Sequence, residues 1–345
     1  MKFLLCFRIA VLLTSSTGYH YGSAFHVAPS YPTIIRSTLL ESTRATTTSE
    51  LYASTTTTAT SGSGSSATPA NTQEDTDNTV LERRRTKQKI AIVGSGAVGC
   101  YYGGRLWEVG YDVSFYMRGL HYEKSIENGL NVTSVEGDMF IPPDKLKAYD
   151  NIQQMASDSS SSGSNDEDTD SDGFDWIIVA LKSTAVSNIP ELIYPLLNPN
   201  KTRVLCIMNG LIEDDIIKGL NQYHVKESSE DDNDEDETSL TTTTSLNCCK
   251  ALYGGMALVC CNRINPGHVD HSYAGLLSGG VAATHPSSCA IGKEEEEEAE
   301  NRDAFVQLWE PTKIDIVYEP CLLAGRWRKV SKKSISNFES CHCQK

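Results

Sequence analysis

The feature that most constrains this chain is a short apolar strand that runs without a break into a glycine turn. Lys89-Ile90-Ala91-Ile92-Val93 is apolar and rich in β-branched residues, and Gly94-Ser95-Gly96-Ala97-Val98-Gly99 follows at once. A lone G-x-G-x-x-G is a weak signal, but a strand before it and a helical pattern after it make it specific. The helix is predicted over Ala97 to Glu108, with Gly110 as its C′ glycine, and Tyr111–Met117 reads as a second strand. In such a unit Gly94 allows the tight turn, Gly96 lets the backbone approach a diphosphate, and Gly99 lets helix and strand pack closely. The N–H groups at the helix start favour an anion. Gly94, Ser95, Gly96, Ala97, Val98 and Gly99 are therefore the candidate dinucleotide-binding residues.

The end of the second strand selects the dinucleotide. An Asp or Glu there would bond the ribose hydroxyls of NAD, whereas this chain has Met117-Arg118-Gly119. An Arg pairs with a 2′-phosphate, so Arg118 points to NADP(H). Two more α/β signals follow. Phe174–Leu181 is a near-continuous apolar run, as in a buried parallel strand, and it ends in Lys182-Ser183-Thr184. A helical segment is expected from Ala185 to Leu197, closing at Asn198-Pro199. Thr202–Met208 is the next buried strand, ending in Asn209-Gly210-Leu211. Ligands of open α/β sheets bind outside the carboxyl ends of the strands, where Gly94, Arg118, Lys182 and Asn209 would all stand. The expected fold class is α/β, a Rossmann-like doubly wound sheet.

Charge supports this reading and excludes others. The net charge is −15, which argues against a nucleic-acid partner, and no apolar stretch is long enough to span a bilayer in the mature chain. The acidity is local: residues 158–175, 227–237 and 294–300 hold seven, eight and six acids without one Lys or Arg. Low-complexity inserts of this kind, at about 157–172, 226–244 and 293–300, cannot bury enough apolar surface to order themselves. They are expected as disordered surface loops. The 11 cysteines form neither a metal pattern nor a disulfide framework, so no metal site is expected and free thiols are.

Residues 1–85 read as an address and a linker. Met1-Lys2 precedes two short apolar runs, Phe3–Phe7 and Ile9–Leu13, and the small residues Thr14–Gly18, which is a signal-peptide pattern. From Phe25 to about Thr72 the chain is rich in Ser, Thr and Ala, with Glu41 and Glu50 as its acids, which is transit-peptide composition. The junction Ser23-Ala24-Phe25-His26-Val27-Ala28-Pro29 resembles the Ala-Phe-Ala-Pro junction of two-part plastid-targeting leaders, with His26-Val27 interposed. A plastid is the expected destination, and the secretory pathway is the other reading.

The combination of motifs resembles the ketopantoate reductase (2-dehydropantoate 2-reductase) family. The matching pieces are Lys89–Gly99 with Tyr101–Leu106, Val179–Lys182, Met208–Leu211 and Pro266–His271. The resemblance implies reduction of ketopantoate to pantoate with NADPH, on the route to pantothenate and coenzyme A. It implies that Gly94, Gly96 and Gly99 hold the diphosphate and Arg118 the 2′-phosphate, with Lys182 and Asn209 beside nicotinamide, ribose and substrate. The family's catalytic lysine stands in a Trp-x-Lys motif, here Trp327-Arg328-Lys329. A cationic lysine can stabilise the charge that hydride attack leaves on a ketone oxygen and deliver a proton. The family places Asn four and eight residues further on. Lys333 breaks that pattern and Asn337 keeps it, which makes Asn337 a candidate substrate contact.

The resemblance assigns residues 86–300 to the NADP-binding domain. Residues 301–345 would be only a stub of the family's all-helical second domain, as in a truncated gene model. Two alternatives stay open: an NADP-binding protein without catalysis, and a reductase of another small 2-oxo acid. Self-association as a homo-oligomer also stays open.

Overall fold

The computed structural model describes residues 34–35, 88–161, 173–228, 246–284 and 294–331. The strands are β1 (Ile34–Ile35), β2 (Lys89–Val93), β3 (Asp112–Tyr116), β4 (Leu130–Ser134), β5 (Met139–Ile141), β6 (Lys147–Tyr149), β7 (Trp176–Val179), β8 (Arg203–Ile207), β9 (Ala251–Asn265), β10 (His268–Thr284) and β11 (Ile316–Tyr318). The helices are α1 (Ala97–Glu108), α2 (Leu120–Asn128), α3 (Ile152–Ser161), α4 (Ile189–Ile193), α5 (Glu213–Ser228) and α6 (Glu294–Trp309), and residues 322–331 form α7.

All the strands join one mixed sheet in the order β1-β11-β10-β9-β8-β7-β2-β3-β6, with β4 on β10 and β5 on β4. The run β9-β8-β7-β2-β3-β6 is parallel throughout. The chain leaves β2 for β3 on one side and later returns to lay β7 on the other side. That reversal is the topological switch point of a Rossmann-like α/β sheet.

Strand periodicity sends β2 to two cores. Ile90 and Ile92 join Tyr101, Tyr102 and Leu106 of α1 and Phe305, Leu308 and Trp309 of α6. Ala91 and Val93 face Met155 of α3, Ile189 and Ile193 of α4, and Ile216 and Leu220 of α5. With both faces covered, the central strands must be apolar on every residue, as β7 and β8 nearly are.

α1 spans the residues expected and ends as expected. Gly110 has φ +96°, its N–H donates to the Trp107 carbonyl (3.0 Å), and the Tyr111 N–H donates to the Leu106 carbonyl (3.3 Å). That pair of bonds is a Schellman motif, which satisfies carbonyls the helix leaves open. On the outer face of α1 the buried Arg105 donates to Glu108 (2.9 Å), Ser134 Oγ (2.9 Å) and the Gly137 carbonyl (3.0 Å), pinning the β4–β5 hairpin.

Two expectations need correction. Residues 294–300, read as a disordered insert, are the opening turns of α6; its later residues Phe305, Leu308 and Trp309 are buried and anchor them. α6 runs on past residue 300 and packs against the sheet, and β11 extends the sheet beside β10. The helix expected over 185–197 is three short pieces: a 3₁₀ segment Ser183–Asn188, α4, and a 3₁₀ turn Tyr194–Leu196. Pro190 and Pro195 remove backbone donors there. Ile34–Ile35, within the stretch read as a leader, pair antiparallel with the open edge of β11.

The acidic inserts at 162–172 and 229–244, the rest of the leader, and the tail from residue 332, including Asn337, lie outside the described residues. The flanks of the first two inserts are helical, in α3 and α5. Among the described residues the cysteines are free thiols, and no helix is long and apolar enough to cross a membrane.

The packing of α1 on β2 and β3 depends on Gly103, where a Cβ would lie 2.6 Å from the Phe115 ring and 2.8 Å from Ile92. Gly103→Val is expected to destabilise the fold by about 1–3 kcal/mol through overpacking, read as a lower midpoint in thermal or urea unfolding.

Candidate active site at the carboxyl edge of the sheet

The glycine turn is bound to both neighbours of β2. The Ala180 N–H donates to the Val93 carbonyl (2.9 Å), and the Ser95 N–H donates to the Tyr116 carbonyl (3.3 Å). One bond aligns the turn with the end of β7, two residues before Lys182. The other aligns it with the end of β3, two residues before Arg118. Gly94 has φ +98°, and a Cβ on it would lie 2.7 Å from Leu181 Cδ2 and 2.9 Å from the Ala180 carbonyl carbon. A Cβ on Gly99 would meet the Gly94 carbonyl oxygen, whereas one on Gly96 would meet nothing. Gly94 and Gly99 are therefore required by the protein's own packing, and Gly96 leaves open space.

That space has the character of an anion site. Gly96 is the N-cap of α1, in extended conformation, without a side-chain capping bond and without an acid in the first turn. The first intrahelical bond of the turn runs from Cys100 N–H to the Gly96 carbonyl (2.9 Å), so the earlier N–H groups, on Ala97, Val98 and Gly99, lie ahead of the helical ladder. Arg118 is exposed, and its guanidinium has no partner among the described residues. The residues present fit a nicotinamide dinucleotide, with donors for a diphosphate and room at Gly96.

Lys182 and Asn209 are also exposed at this edge, three residues past β7 and two past β8. Lys329 arrives from α7. Its Nζ donates to Asn209 Oδ1 (2.9 Å) and to the Ala257 carbonyl on β9 (2.9 Å). The structure thus joins Lys329 to Asn209 directly and sets Arg118 and Lys182 on the same edge without contact to them.

Several residues that hold this arrangement escaped the sequence reading. Arg326 and Arg328 look like solvated neighbours of Lys329. In fact Arg326 is buried, donating from Nη1 to the Met208 carbonyl (2.5 Å) and from Nη2 to Glu213 Oε1. Arg328 Nη1 donates to both oxygens of the buried Glu319 (2.9 Å each). Nothing in the sequence links positions 113 residues apart. The one local hint is Glu213 itself, the first of three acids at the start of α5, where a negative charge suits the helix dipole.

His121, in α2, lies beside the glycine turn. The Gly267 N–H donates to its Nδ1 (2.9 Å), and its Nε2 is 3.4 Å from Cys100 Sγ. Burial pushes the Cys100 thiol up to about 12, with the Arg263 charge opposing. Burial, and then Arg263, holds His121 below the usual imidazole value. The pair is a neutral thiol and a neutral imidazole, so it does not make a thiolate nucleophile.

The ketopantoate reductase PanE/ApbA family model matches residues 90–282, more than half of the chain. A 2-dehydropantoate 2-reductase of Nostoc sp. (strain PCC 7120) is 27% identical over 245 residues, covering 71% of this chain and 60% of that protein. The uncharacterized oxidoreductase YkpB of Bacillus subtilis (strain 168) is 28% identical over 122 residues, covering 35% of this chain and 33% of that one. Among solved structures, a 2-dehydropantoate 2-reductase from Geobacter metallireducens is 28% identical, with a TM-score of 0.46 over 70% of this chain and 61% of that one. A ternary structure of D-mandelate dehydrogenase with NADH and anilino(oxo)acetate is 20% identical, with a TM-score of 0.47 over 70% and 60%. The chain spans about three fifths of the Nostoc relative's length.

The lowered value of His121 has a consequence for stability. A histidine depressed in the folded state contributes stability that is present above its unfolded pKa and lost as pH falls through its folded one. The unfolding midpoint is expected to fall as pH drops below about 6.5. His121→Asn, which can accept the same N–H without titrating, is expected to flatten that part of the profile. The chain belongs to the ketopantoate reductase PanE/ApbA family.

Proposed function

We propose that this protein reduces ketopantoate to pantoate with NADPH. The observation that carries the reading is the bond from Lys329 Nζ to Asn209 Oδ1, at the same sheet edge as a helix start without a side-chain cap and the exposed Arg118. Family membership supports it, and so does the character of the edge, where the groups near the glycine turn are donors rather than acids.

In this reading the N–H groups of the Gly94–Gly99 turn hold the diphosphate, and Arg118 pairs with the 2′-phosphate. Bound NADPH supplies the hydride. Lys182 lies beside the nicotinamide ribose, and Asn209 contacts the substrate. Lys329 stabilises the charge that develops on the substrate oxygen and gives it a proton, so the product leaves as an alcohol. Asn209 Oδ1 and the Ala257 carbonyl accept from Nζ and hold it at a fixed height above the sheet edge. A fixed ammonium needs little rearrangement when charge appears, which is where such stabilisation gains its strength. The leader belongs to the same proposal: residues 1–85 direct the protein to a plastid, where the product would feed pantothenate formation.

NADPH oxidation by the purified full chain with ketopantoate is the direct test. Lys329→Ala is expected to lower kcat by about 10²- to 10⁴-fold while NADPH binding is kept, because a positioned acid contributes on that order. Binding without turnover in the unmodified chain would favour an NADP-binding protein. Turnover with a different 2-oxo acid would move the substrate within the class. Arg118→Gln is expected to weaken NADPH binding by about 10-fold and leave NADH unaffected, the size of one lost charge-assisted hydrogen bond. Residues 1–85 fused to a fluorescent protein are expected to enter the plastid in an alga with complex plastids, and export to the medium would assign the leader to secretion.

A further inference from the structure

We infer that the buried Arg326–Glu213 pair is the positioning device that keeps Lys329 on Asn209, an inference that rests on the reductase reading above. Arg326 and Lys329 are three residues apart on α7 and so share a face of the helix. Arg326 is 4% exposed and Glu213 8%. The guanidinium takes hold of both ends of the loop that carries Asn209: the Met208 carbonyl just before it and the Glu213 carboxylate four residues after it. One planar group therefore sets the height of Asn209 and the seat of the helix turn that bears Lys329. Arg is suited to this, because its fork reaches two acceptors in one plane.

The packing around the pair is built for that geometry. A Cβ on Gly254 would collide with the Glu213 carboxylate and with Leu322, the first residue of α7, so β9 gives up a side chain to admit both. Nothing in binding a dinucleotide requires a buried ion pair here. Burying one carries a desolvation cost that apolar residues would not. What the pair supplies is direction.

A second clasp separates aim from attachment. Arg328 holds Glu319 with two bonds on another side of α7, and a Cβ on Gly325 would lie 2.9 Å from the Glu319 carboxyl carbon. With that clasp intact, removing the charge of Glu213 leaves α7 docked and frees the Lys329 end to shift. A shift of about 1 Å in a group that must meet a reacting atom can cost up to about 100-fold.

The test uses the full chain and the variants Glu213→Gln and Arg326→Lys, with two kinds of readout. The first does not depend on turnover: the rate at which a small amine-directed acylating reagent modifies Lys329, followed by mass spectrometry, with the exposed Lys145 as internal control. Glu213→Gln is expected to speed modification of Lys329 several-fold and leave Lys145 unchanged. Arg326→Lys keeps a cation beside Glu213 and loses the fork, so it is expected to give a smaller increase. The second readout is kinetic: kcat falls by about 10-fold in Glu213→Gln with NADPH binding kept, and the same substitution has no further effect on kcat in a Lys329→Ala background.

Unchanged Lys329 modification in both variants, with NADPH still bound, overturns the inference. So does a loss of NADPH binding in both, because the pair would then be holding the fold and not the lysine. Faster Lys329 modification in a chain that never turns over ketopantoate upholds the positioning role and overturns the reductase reading alone.

Discussion

The carboxyl edge of the sheet rests on one strand. β2 pairs in parallel with β3 on one side and β7 on the other, with Val93 opposite Tyr116 and Val179 in turn. Because side chains alternate along a strand, a slip of one residue would exchange Ile90 and Ile92 for Ala91 and Val93 between two different cores. Burial on both faces fixes the register, and the register fixes where the glycine turn, Arg118 and Lys182 emerge. The turn then draws α1 down onto the sheet through positions that tolerate no side chain, at Gly99 and Gly103.

A different physics brings Lys329 to the same edge. α7 has exposed Leu323, Trp327 and Val330 on one side, so apolar burial is only part of what seats it. Its polar residues reach out in other directions: Arg326 and Lys329 on one face and Arg328 on another, each donating to an acceptor on the sheet, in α5 or in a loop beside them. Hydrogen bonds to charged groups contribute about 1.5–3 kcal/mol each, and they have direction, which apolar contact lacks. A helix clasped by directed bonds holds its polar side chains at set distances.

The electrostatics of the edge are divided. Next to the glycine turn the Cys100–His121 pair is kept neutral, with the Cys100 thiol raised by burial and His121 lowered by burial and by the Arg263 charge. Fixed backbone N–H groups and Arg118 are left to face an incoming anion. At α7 the opposite holds: full charges are present, and each arginine cation is matched by a buried carboxylate.

The sheet and the glycine turn were legible because their signals are local. The β-branched run of Lys89–Val93, the spacing of Gly94, Gly96 and Gly99, and the C′ glycine at Gly110 act within one or two turns of chain. The apolar runs before Lys182 and Asn209 needed only their own composition to be read as buried strands. Where local composition and tertiary contact disagreed, contact prevailed. Five consecutive glutamates looked like a disordered loop, yet Phe305, Leu308 and Trp309 further along α6 bury themselves on the sheet and carry those turns with them. β11 is too short to announce itself and exists because β10 offers it an edge. By itself, the sequence determined the Rossmann-like unit, its glycine turn and the residues at the strand ends. Tertiary structure alone decided which cations beside Lys329 are buried and what they hold. The partners of Arg326 lie more than a hundred positions away, and ion pairing between distant segments depends on their meeting in space, which no local pattern records.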